Sequence, residues 1–493
     1  MKKTYVKRMA ALLLTGGLLA GVPEAAASPP YYSYTYSYAN GVAKDVAAPL
    51  AYQVGGMYTG TDLGCTLGSP EDLVTDGEGN LYLVDSAQNA VYVLDAGLRC
   101  TETITAFDNA GEPDGFKSPS GLFVDEDGLI YVADTGNKRI VVLGKDRGLL
   151  RTVEEPENEI LDANFSFQPK KLVVDSAGRM FVLVQNVNKG LMQFSPDGDF
   201  VGYVGSNEVV YTLAELMWKA VMTEEQKKQL LSFVPVDYAN ISLDANGFIY
   251  AVTSAADTAD PIRRLNPSGK DVLVRAALSG STKVDGDVLY TEDRTQTTYG
   301  PSAFVDITQD ESGNYYALDG KRGRIFAYDE EGNLLFIFGG LRTAQKGTFE
   351  EPSALLYLGG RLYVLDKSYA SLTVFEPTEY TTLLHEATAA YIGQRYEECI
   401  EKWNQVLRLN SNFDLAYMKA GYAYYRLQRY EEAMACFKTA NAKSAYSKAY
   451  VKQKKLRMNE QFPYYFGGAA VLFAALLIGL RVRRRLRRRR SAQ

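Results

Sequence analysis

The chain has 493 residues, enough for about three domains, and its 46% apolar and 23% charged side chains exclude a wholly disordered protein. Four cysteines are too few for a disulfide scaffold of this length, and the one histidine, His385, excludes any site that needs two imidazoles. The formal charge of −6 conceals a strongly basic C-terminus on an otherwise acidic chain.

Residues 1–27 have the pattern of a secretory signal peptide. Four basic residues open the segment, a short apolar run follows at 9–22, and the alanines at 25–27 supply the small residues that a cleavage site needs. The apolar run is too short to span a bilayer comfortably. We therefore expect cleavage and export, the alternative being an uncleaved anchor helix.

A Tyr-rich leader is predicted over residues 28–49. Residues 31–38 read Tyr-Tyr-Ser-Tyr-Thr-Tyr-Ser-Tyr, a low-complexity stretch. Such aromatic faces could stack on sugars, but the composition favours a leader that is flexible or packs at the edge of the next domain.

One pattern recurs between residues 50 and 378. Its fullest copy, residues 119–143, holds three short runs of β-branched and aromatic residues separated by turns rich in Asp, Asn and Gly. A turn glycine marks six copies at steps of 49, 50, 69, 66 and 47 residues: Gly79, Gly128, Gly178, Gly247, Gly313 and Gly360. Antiparallel units of this length predict a mainly β domain, a six-bladed β-propeller.

Further predictions follow from the unequal spacing of the marker glycines and from the two ends of the repeat. The longer steps predict a helical insertion at about 207–234 and a long polar loop at 279–300. The sixth copy reaches Pro377 without a fourth strand, whereas residues 50–58 resemble the last strand of copy five. Residues 50–58 are therefore predicted to be the outer strand of blade six and to close the ring.

The repeat resembles the NHL-repeat propellers over about two thirds of the chain. This resemblance implies the fold but little about function, because such propellers include binding modules, scaffolds and a few enzymes. It also implies that Arg139 and Arg324 are the recurrent arginines that pack between blades. The aspartates that follow the middle strands are predicted to be turn residues rather than a ring of cation ligands: Asp85, Asp134, Asp319 and Asp366.

The enzymes that share this propeller suggest few candidate sites. Amidating lyases use histidine zinc ligands, and the predicted propeller contains no histidine for that role or for a Ser-His-Asp triad. Calcium-dependent lactonases need carboxylates and amides that converge on the central channel. Loose candidates are Asn186, Asn188, Asp237 and Asn240, without distinctive spacing. No catalytic residue is assigned, and Ca²⁺ stays open as a cofactor.

From residue 380 the apolar period changes from two to 3.6, which predicts helices. Residues 396–403 align with 430–437 at a shift of 34 residues. This pattern resembles the tetratricopeptide repeat (TPR), so a small all-α module is predicted at 380–459. The resemblance implies packing roles for Tyr396, Cys399, Trp403, Tyr430, Ala433 and Phe437.

The remaining cysteines, Cys65 and Cys100, both lie in or beside the first blade. In an exported domain the compartment is oxidising, so a disulfide between them is as reasonable as two free thiols. The sequence leaves both outcomes open.

A single transmembrane helix is predicted at 462–480, where 19 residues carry no charge. The tail 481–493 contains eight arginines, which should stay cytoplasmic and place the preceding domains outside the cell membrane. Without the signal and the tail, 41 basic and 58 acidic residues give the exported portion a charge of −17. Such a surface repels phosphate backbones, which excludes nucleic-acid binding.

The order of signal, propeller, helical repeats, membrane helix and basic tail looks like a family of exported bacterial NHL–TPR proteins that accompany sugar transporters. The resemblance implies a membrane-anchored extracytoplasmic scaffold that binds a ligand or a protein on the propeller. An envelope protein or transporter subunit would bind the TPR module. The alternatives are a metal-dependent hydrolase of the lactonase type that uses the propeller channel, and a purely structural spacer.

Overall fold

The computed structural model describes residues 31, 33–37, 44–157, 165–187, 189–205, 238–254, 260–275, 284, 286, 301–341 and 345–490. The predicted signal peptide, the predicted helical insertion at about 207–234 and nearly all of the loop at 279–300 lie outside these residues. The described chain forms a mainly β domain followed by a helical region.

The first half of the β domain contains an N-terminal segment and three blades. The segment consists of β1 (Ser33–Ser37), β2 (Lys44–Ala48), β3 (Tyr52–Thr59) and the short helix α1 (Gly60–Leu63). Blade one is β4 (Pro70–Thr75), β5 (Leu81–Asp85), β6 (Ala90–Leu94) and β7 (Cys100–Ile104), and a hairpin follows it, β8 (Ala106–Asn109) and β9 (Glu112–Gly115). Blade two is β10 (Gly121–Val124), β11 (Ile130–Asp134), β12 (Arg139–Leu143) and β13 (Leu149–Val153). Blade three is β14 (Pro169–Val174), β15 (Met180–Val184), β16 (Leu191–Phe194) and β17 (Phe200–Val204).

Three more blades complete the ring. Blade four is β18 (Tyr238–Leu243), β19 (Ile249–Thr253) and β20 (Ile262–Leu265). Blade five is β21 (Phe304–Gln309), β22 (Tyr315–Asp319), β23 (Arg324–Tyr328) and β24 (Leu334–Gly339), and blade six is β25 (Pro352–Leu358), β26 (Arg361–Asp366) and β27 (Ser371–Pro377). The innermost strands contact one another in a closed circle, in the order β4, β10, β14, β18, β21, β25 and back to β4. The predicted six-bladed propeller is confirmed.

The turn between the first two strands of each blade explains the sequence pattern. All six marker glycines have a positive φ, from 73° at Gly128 to 87° at Gly360, a conformation that costs other residues energy. In blades one to five an aspartate opens this turn, and its carboxylate accepts backbone N–H groups within the turn, as Asp125 does from Leu129 at 2.8 Å. The repeat seen in the sequence is therefore chiefly a repeat of one turn geometry.

The ring closes through the N-terminal strand β3. This strand pairs with β27 in antiparallel register from Tyr52↔Pro377 to Thr59↔Ser371 and is the outermost strand of blade six. The predicted closing strand is confirmed at Tyr52–Thr59. Because the two strands lie more than 300 residues apart in the chain, their pairing fixes both ends of the propeller at once.

The described part of the Tyr-rich leader extends blade five. Strands β1 and β2 form a hairpin, and β1 contacts the outer strand β24 through Tyr34↔Ile337, which makes blade five a six-stranded sheet. Tyr31 and Tyr34 are buried there. Arg324 donates to the Tyr34 hydroxyl at 2.6 Å. Of the two predicted outcomes, the edge-packed leader is the one that these residues show.

The helical region contains α2 (Glu379–Ile392), α3 (Tyr396–Leu409), α4 (Asp414–Arg426), α5 (Tyr430–Thr439) and the long α6 (Lys443–Arg490). Neighbouring helices pack in chain order. Cys399 and Trp403 are buried in an apolar cluster that continues into blades five and six. Ala433 and Phe437 are buried in a second cluster with α6, Tyr430 is buried against the ring of Tyr425, and Tyr396 is half-buried.

Helices α2 and α4 dock on the propeller. The Thr381 hydroxyl of α2 donates to the carbonyl of Ala51, beside the closing strand. On α4, Lys419 is buried and forms ion pairs with Glu331 and, at 2.8 Å, with Asp329, both in the turn between β23 and β24. The helical region is thus attached to blades five and six by polar contacts as well as by apolar packing.

Helix α6 leaves the domain as a continuous helix. Ala445 and Ala449 pack against α5, and Arg457 pairs with Glu431 of that helix. Pro463 then marks the start of a segment whose apolar side chains are all exposed. Among the described residues, α6 is the one helix with a stretch long and apolar enough to cross a membrane.

The interface between helices and propeller contains the one histidine. His385 of α2 is half-buried against the rings of Tyr316 and Tyr357, and the Tyr316 hydroxyl lies 2.7 Å from its Nε2. Burial lowers the pKa of His385 to about 4. At a pH between this value and the ordinary pKa near 6.5, His385 is protonated in the unfolded chain but neutral in the folded chain.

We therefore expect acid to destabilise the docked state through His385. When the pH falls from 7 to 4.5, the wild type should lose about 2–3 kcal/mol more free energy of unfolding than His385→Gln, since the amide cannot be protonated. Urea unfolding of the full chain in detergent at both pH values measures this difference. Identical pH dependence in the two proteins would contradict the role of His385, because all other titrating groups are common to both.

Candidate ligand pocket

In the described part of the chain, helices α2 and α4 contact one face of the disc and do not cover the other. The innermost strands begin at the face that these helices do not cover, which is called here the pocket face. They end at the opposite face, the helix face, where Tyr357 at the end of β25 contacts His385. The centre of the pocket face contains a cavity of about 500 Å³.

Six equivalent positions, one from each innermost strand, form a ring around the channel, and three of them, Asp72, Lys171 and Asn240, line the cavity. Each of the six residues pairs with the second-last residue of the next strand in its blade. The six are Asp72, Gly121, Lys171, Asn240, Asp306 and Ala354. In five of the blades the strand register shifts just before this position. Such bulges re-aim side chains, and here they mark the ring around the channel.

Two aspartates of the ring join neighbouring blades. Asp72 accepts the N–H of Leu73 at 2.9 Å and, from blade two, the N–H of Leu122 at 2.7 Å. Asp306 repeats this arrangement, with Ile307 at 2.8 Å and Leu355 of blade six at 2.6 Å. Both carboxylates therefore act as structural links that satisfy buried backbone donors.

Lys171 carries the positive charge of the ring. Its ammonium donates to Oδ2 of Asp72 across blade two, and both side chains are buried. Gly121 of blade two lies between them, and a Cβ there would meet the carbonyl oxygen of Lys170 at 2.2 Å. A residue without a side chain is therefore required where the inner strands of blades two and three approach each other.

Asp306 has an altered acidity in this environment. Burial is the main cause that raises its pKa to about 7, and the charge of Asp72 adds to the increase. Lys171 and the two backbone donors act in the opposite direction. The ring thus holds one ion pair and one further carboxyl that takes up a proton near neutral pH.

The wall of the cavity carries charged, amide and hydroxyl side chains among apolar ones. Glu71 pairs with Lys367 on the side of blades one and six, and Lys170 lies opposite on blade three. Of the residues that line the cavity, Tyr238 is the one aromatic in the described chain. This lining suits a small solute rich in hydrogen-bonding groups rather than a large apolar molecule.

The calcium candidates from the sequence are only partly described. Asn186 and Asn240 line the cavity, whereas Asn188 and Asp237 lie outside the described residues. Asn240 uses its Oδ1 to accept the N–H of Ile241 at 2.8 Å. Over the described ranges, no group of three or more acidic, cysteine or histidine side chains has the geometry to hold a metal ion.

The repeated polar residues outside the channel are structural. The four aspartates predicted to be turn residues accept backbone N–H groups, for example Asp134 from Lys117 at 2.7 Å. Arg139 forms a two-pronged ion pair with Asp114 of the hairpin β8–β9, at 2.7 and 2.9 Å. Arg324 instead binds the leader. These contacts confirm the turn interpretation of the aspartates.

Sequence reasoning missed the ring itself. A signal existed, because in blades one, two, three and six the ring residue comes two positions after a proline: Pro70, Pro119, Pro169 and Pro352. The side chains at these positions differ in charge and size, so the pattern is visible only once the blades are superposed.

A comparison with protein families agrees with the propeller fold. The NHL repeat family model matches residues 116–143. No curated protein matches the chain. Solved structures that resemble the chain include virginiamycin B lyase from Staphylococcus aureus, which is 12% identical with a TM-score of 0.41, and the alignment covers 66% of this chain and all of that one.

Two other structures are similar at the same level. A gluconolactonase from Xanthomonas campestris is 12% identical with a TM-score of 0.39, covering 67% of this chain and 96% of its own. A protein of unknown function from Bacteroides thetaiotaomicron is 13% identical with a TM-score of 0.42, covering 68% and 79%. At these TM-scores, the likenesses carry no argument about fold or activity.

The ion pair of the ring gives a stability prediction. Lys171→Met leaves Asp72 buried without its cation and should reduce the free energy of unfolding by about 3–5 kcal/mol. Adding Asp72→Asn to that variant should recover part of the loss, because it removes the unpaired charge while the amide oxygen still accepts one of the two backbone N–H groups. Urea unfolding of both variants measures this, and a double variant less stable than Lys171→Met would contradict it.

Proposed function

We propose that this protein is a membrane-anchored, extracytoplasmic scaffold that binds a small polar solute in the pocket face and a membrane protein through its helical region. The observation that carries the proposal is the 500 Å³ cavity, lined by charged and other polar side chains among apolar ones, on the face that the described helices do not contact. Its volume lies in the lower half of the ~300–1,000 Å³ range of small-molecule sites.

The proposed ligand follows from the lining. Carboxylates, amines, amides and hydroxyls all line the cavity. Sugars and other polyols match such a surface because each hydroxyl both donates and accepts. The acidic side at Glu71 and the basic side at Lys170 would orient any solute that carries charge.

The proposed location follows from α6. Its apolar stretch is fully exposed outside a membrane, which is costly for so many large side chains, and eight arginines follow it. Anchored in this way, with the arginines in the cytoplasm, the helical region lies between the bilayer and the propeller. A transporter subunit in the same membrane is the partner that we propose for it.

The proposed partner surface covers only part of the helical region. Lys419 of α4 and Thr381 of α2 already contact the propeller. The outward side of α3 remains exposed and carries Glu397 and Glu401, one helical turn apart. We place the partner contact on this acidic surface.

Ligand binding can be tested by thermal shift of the full chain in detergent against panels of sugars, polyols, amino acids and organic acids. Lys170→Ala/Gln185→Ala removes two exposed side chains of the cavity wall, and Lys145→Ala/Gln88→Ala is the matched control outside it. We expect a solute that raises Tm in the wild type and the control, with at least tenfold weaker affinity in the pocket variant. A shift that the pocket variant retains would place binding elsewhere.

The same thermal-shift assay distinguishes the proposed scaffold from the alternative, a lactonase-type hydrolase. That activity requires a Ca²⁺ ion held by several oxygen ligands in the channel. A rise in Tm with Ca²⁺ that EDTA reverses, together with hydrolysis of lactones, would favour it over the scaffold.

Partner binding can be tested by crosslinking in membranes and mass spectrometry. We expect a reproducible transporter subunit with the wild type and its loss, by at least fivefold in yield, with Glu397→Lys/Glu401→Lys. The control is Glu78→Lys/Glu126→Lys, which reverses two exposed charges on the propeller. Equal capture by both variants would exclude the α3 surface, and no capture by the wild type would contradict the partner proposal.

A further inference from the structure

Two cysteines meet where the ring closes. Cys65 follows α1, directly after the closing strand β3, and Cys100 is the first residue of β7, the outermost strand of blade one. Both are half-buried in one apolar cluster, which also contains Tyr58 of the closing strand. The cluster therefore lies at the seam between blade six and blade one.

The two side chains pack in the same apolar cluster as free thiols, and the Cys100 thiol contacts the carbonyl of Glu102 at 3.3 Å. An independent contact fixes their alignment, because the Tyr92 hydroxyl donates to the carbonyl of Thr66, the residue after Cys65, at 2.6 Å. Tyr92 belongs to β6, which pairs with β7 at Leu94↔Cys100. The segment after α1 is thus already held beside the strand that carries Cys100.

Other roles for these thiols do not fit their surroundings. Burial raises the pKa of Cys65 to about 12, with further increases from Cys100 and Asp85, so its thiol is protonated at neutral pH and is not an activated nucleophile. No acidic or histidine side chain of the described chain joins them in a metal-binding group. The two other cysteines, Cys399 and Cys436, belong to α3 and α5.

We propose that Cys65 and Cys100 form a disulfide that locks the seam of the propeller. This inference rests on the proposed function in one respect: the extracytoplasmic location supplies the oxidising compartment in which the bond forms. The bond would enclose residues 65–100, and with them the three inner strands β4, β5 and β6, in one covalent loop. It would hold the chain that follows the closing strand on the outer edge of blade one.

The bond forms by thiol–disulfide exchange with an external disulfide as the oxidant. One cysteine thiolate attacks the external disulfide, and a mixed disulfide forms while one thiolate leaves. The second protein thiolate then attacks the protein sulfur of that mixed disulfide and releases the other thiolate. The protein loses two electrons and two protons, and the external disulfide is reduced to two thiols.

The bridge should raise thermal stability. Closing a loop of 36 residues reduces the freedom of the unfolded chain, so reduction of the bond should lower Tm by roughly 5 °C in a protein of this size. The other thiol pair provides an internal comparison, because Cys399 and Cys436 belong to the helical region and should stay reduced.

The test uses full-length protein in detergent, which is exposed to oxidised glutathione, then denatured in the presence of N-ethylmaleimide so that every free thiol is alkylated, and mapped by peptide mass spectrometry. We expect a peptide pair joined through Cys65 and Cys100 and alkylation at Cys399 and Cys436. Dithiothreitol should lower Tm in the wild type and in Cys399→Ala/Cys436→Ala, but not in Cys65→Ala/Cys100→Ala.

Alkylation of both Cys65 and Cys100 after oxidation, or disulfides that join two chains through either residue, would overturn the proposal. The peptide map of the wild type decides this even if a variant fails to fold. The test does not depend on location: a bridge that forms with glutathione but is absent from protein in cells would support the seam lock and count against export.

Discussion

The pairing of β3 with β27 is the constraint on which the rest of this structure depends. Blade six is incomplete until the two ends of the propeller meet, and here one strand joins residues separated by most of the domain. The carbonyl of Ala51, just before that strand, accepts hydrogen bonds from Thr378 and Thr381 at the start of α2. Ring closure and helix docking therefore depend on the same few residues.

This arrangement determines which face of the disc is free. The chain leaves β27 on the helix face, and the ion pairs of Lys419 hold α4 over the turn of blade five. Because α2 and α4 contact that face, the central cavity opens on the other one. In an anchored protein the face farther from the docked helices is the one that a solute reaches first, which agrees with the proposed scaffold.

The sequence predicted the elements that depend on local geometry. The six turn glycines need a positive φ, so the blades could be counted from their spacing, and Val54-Gly55-Gly56 predicted the closing strand. The leader hairpin on blade five and the ring of Asp72 and Lys171 depend on contacts between distant residues. Side-chain type alone could not reveal them, since a Gly, a Lys and two Asp occupy equivalent positions.

The composition of the ring also limits what the channel can do. Asp72 and Asp306 each use both carboxylate oxygens to bind backbone N–H groups of two neighbouring blades. An ion that took these oxygens would have to replace those bonds, and the ammonium of Lys171 already neutralises Asp72. Recognition of a solute is therefore expected from the wall above the ring, where Lys170 and Gln185 are exposed. The ring holds the blades together, and the wall is free to vary with the ligand.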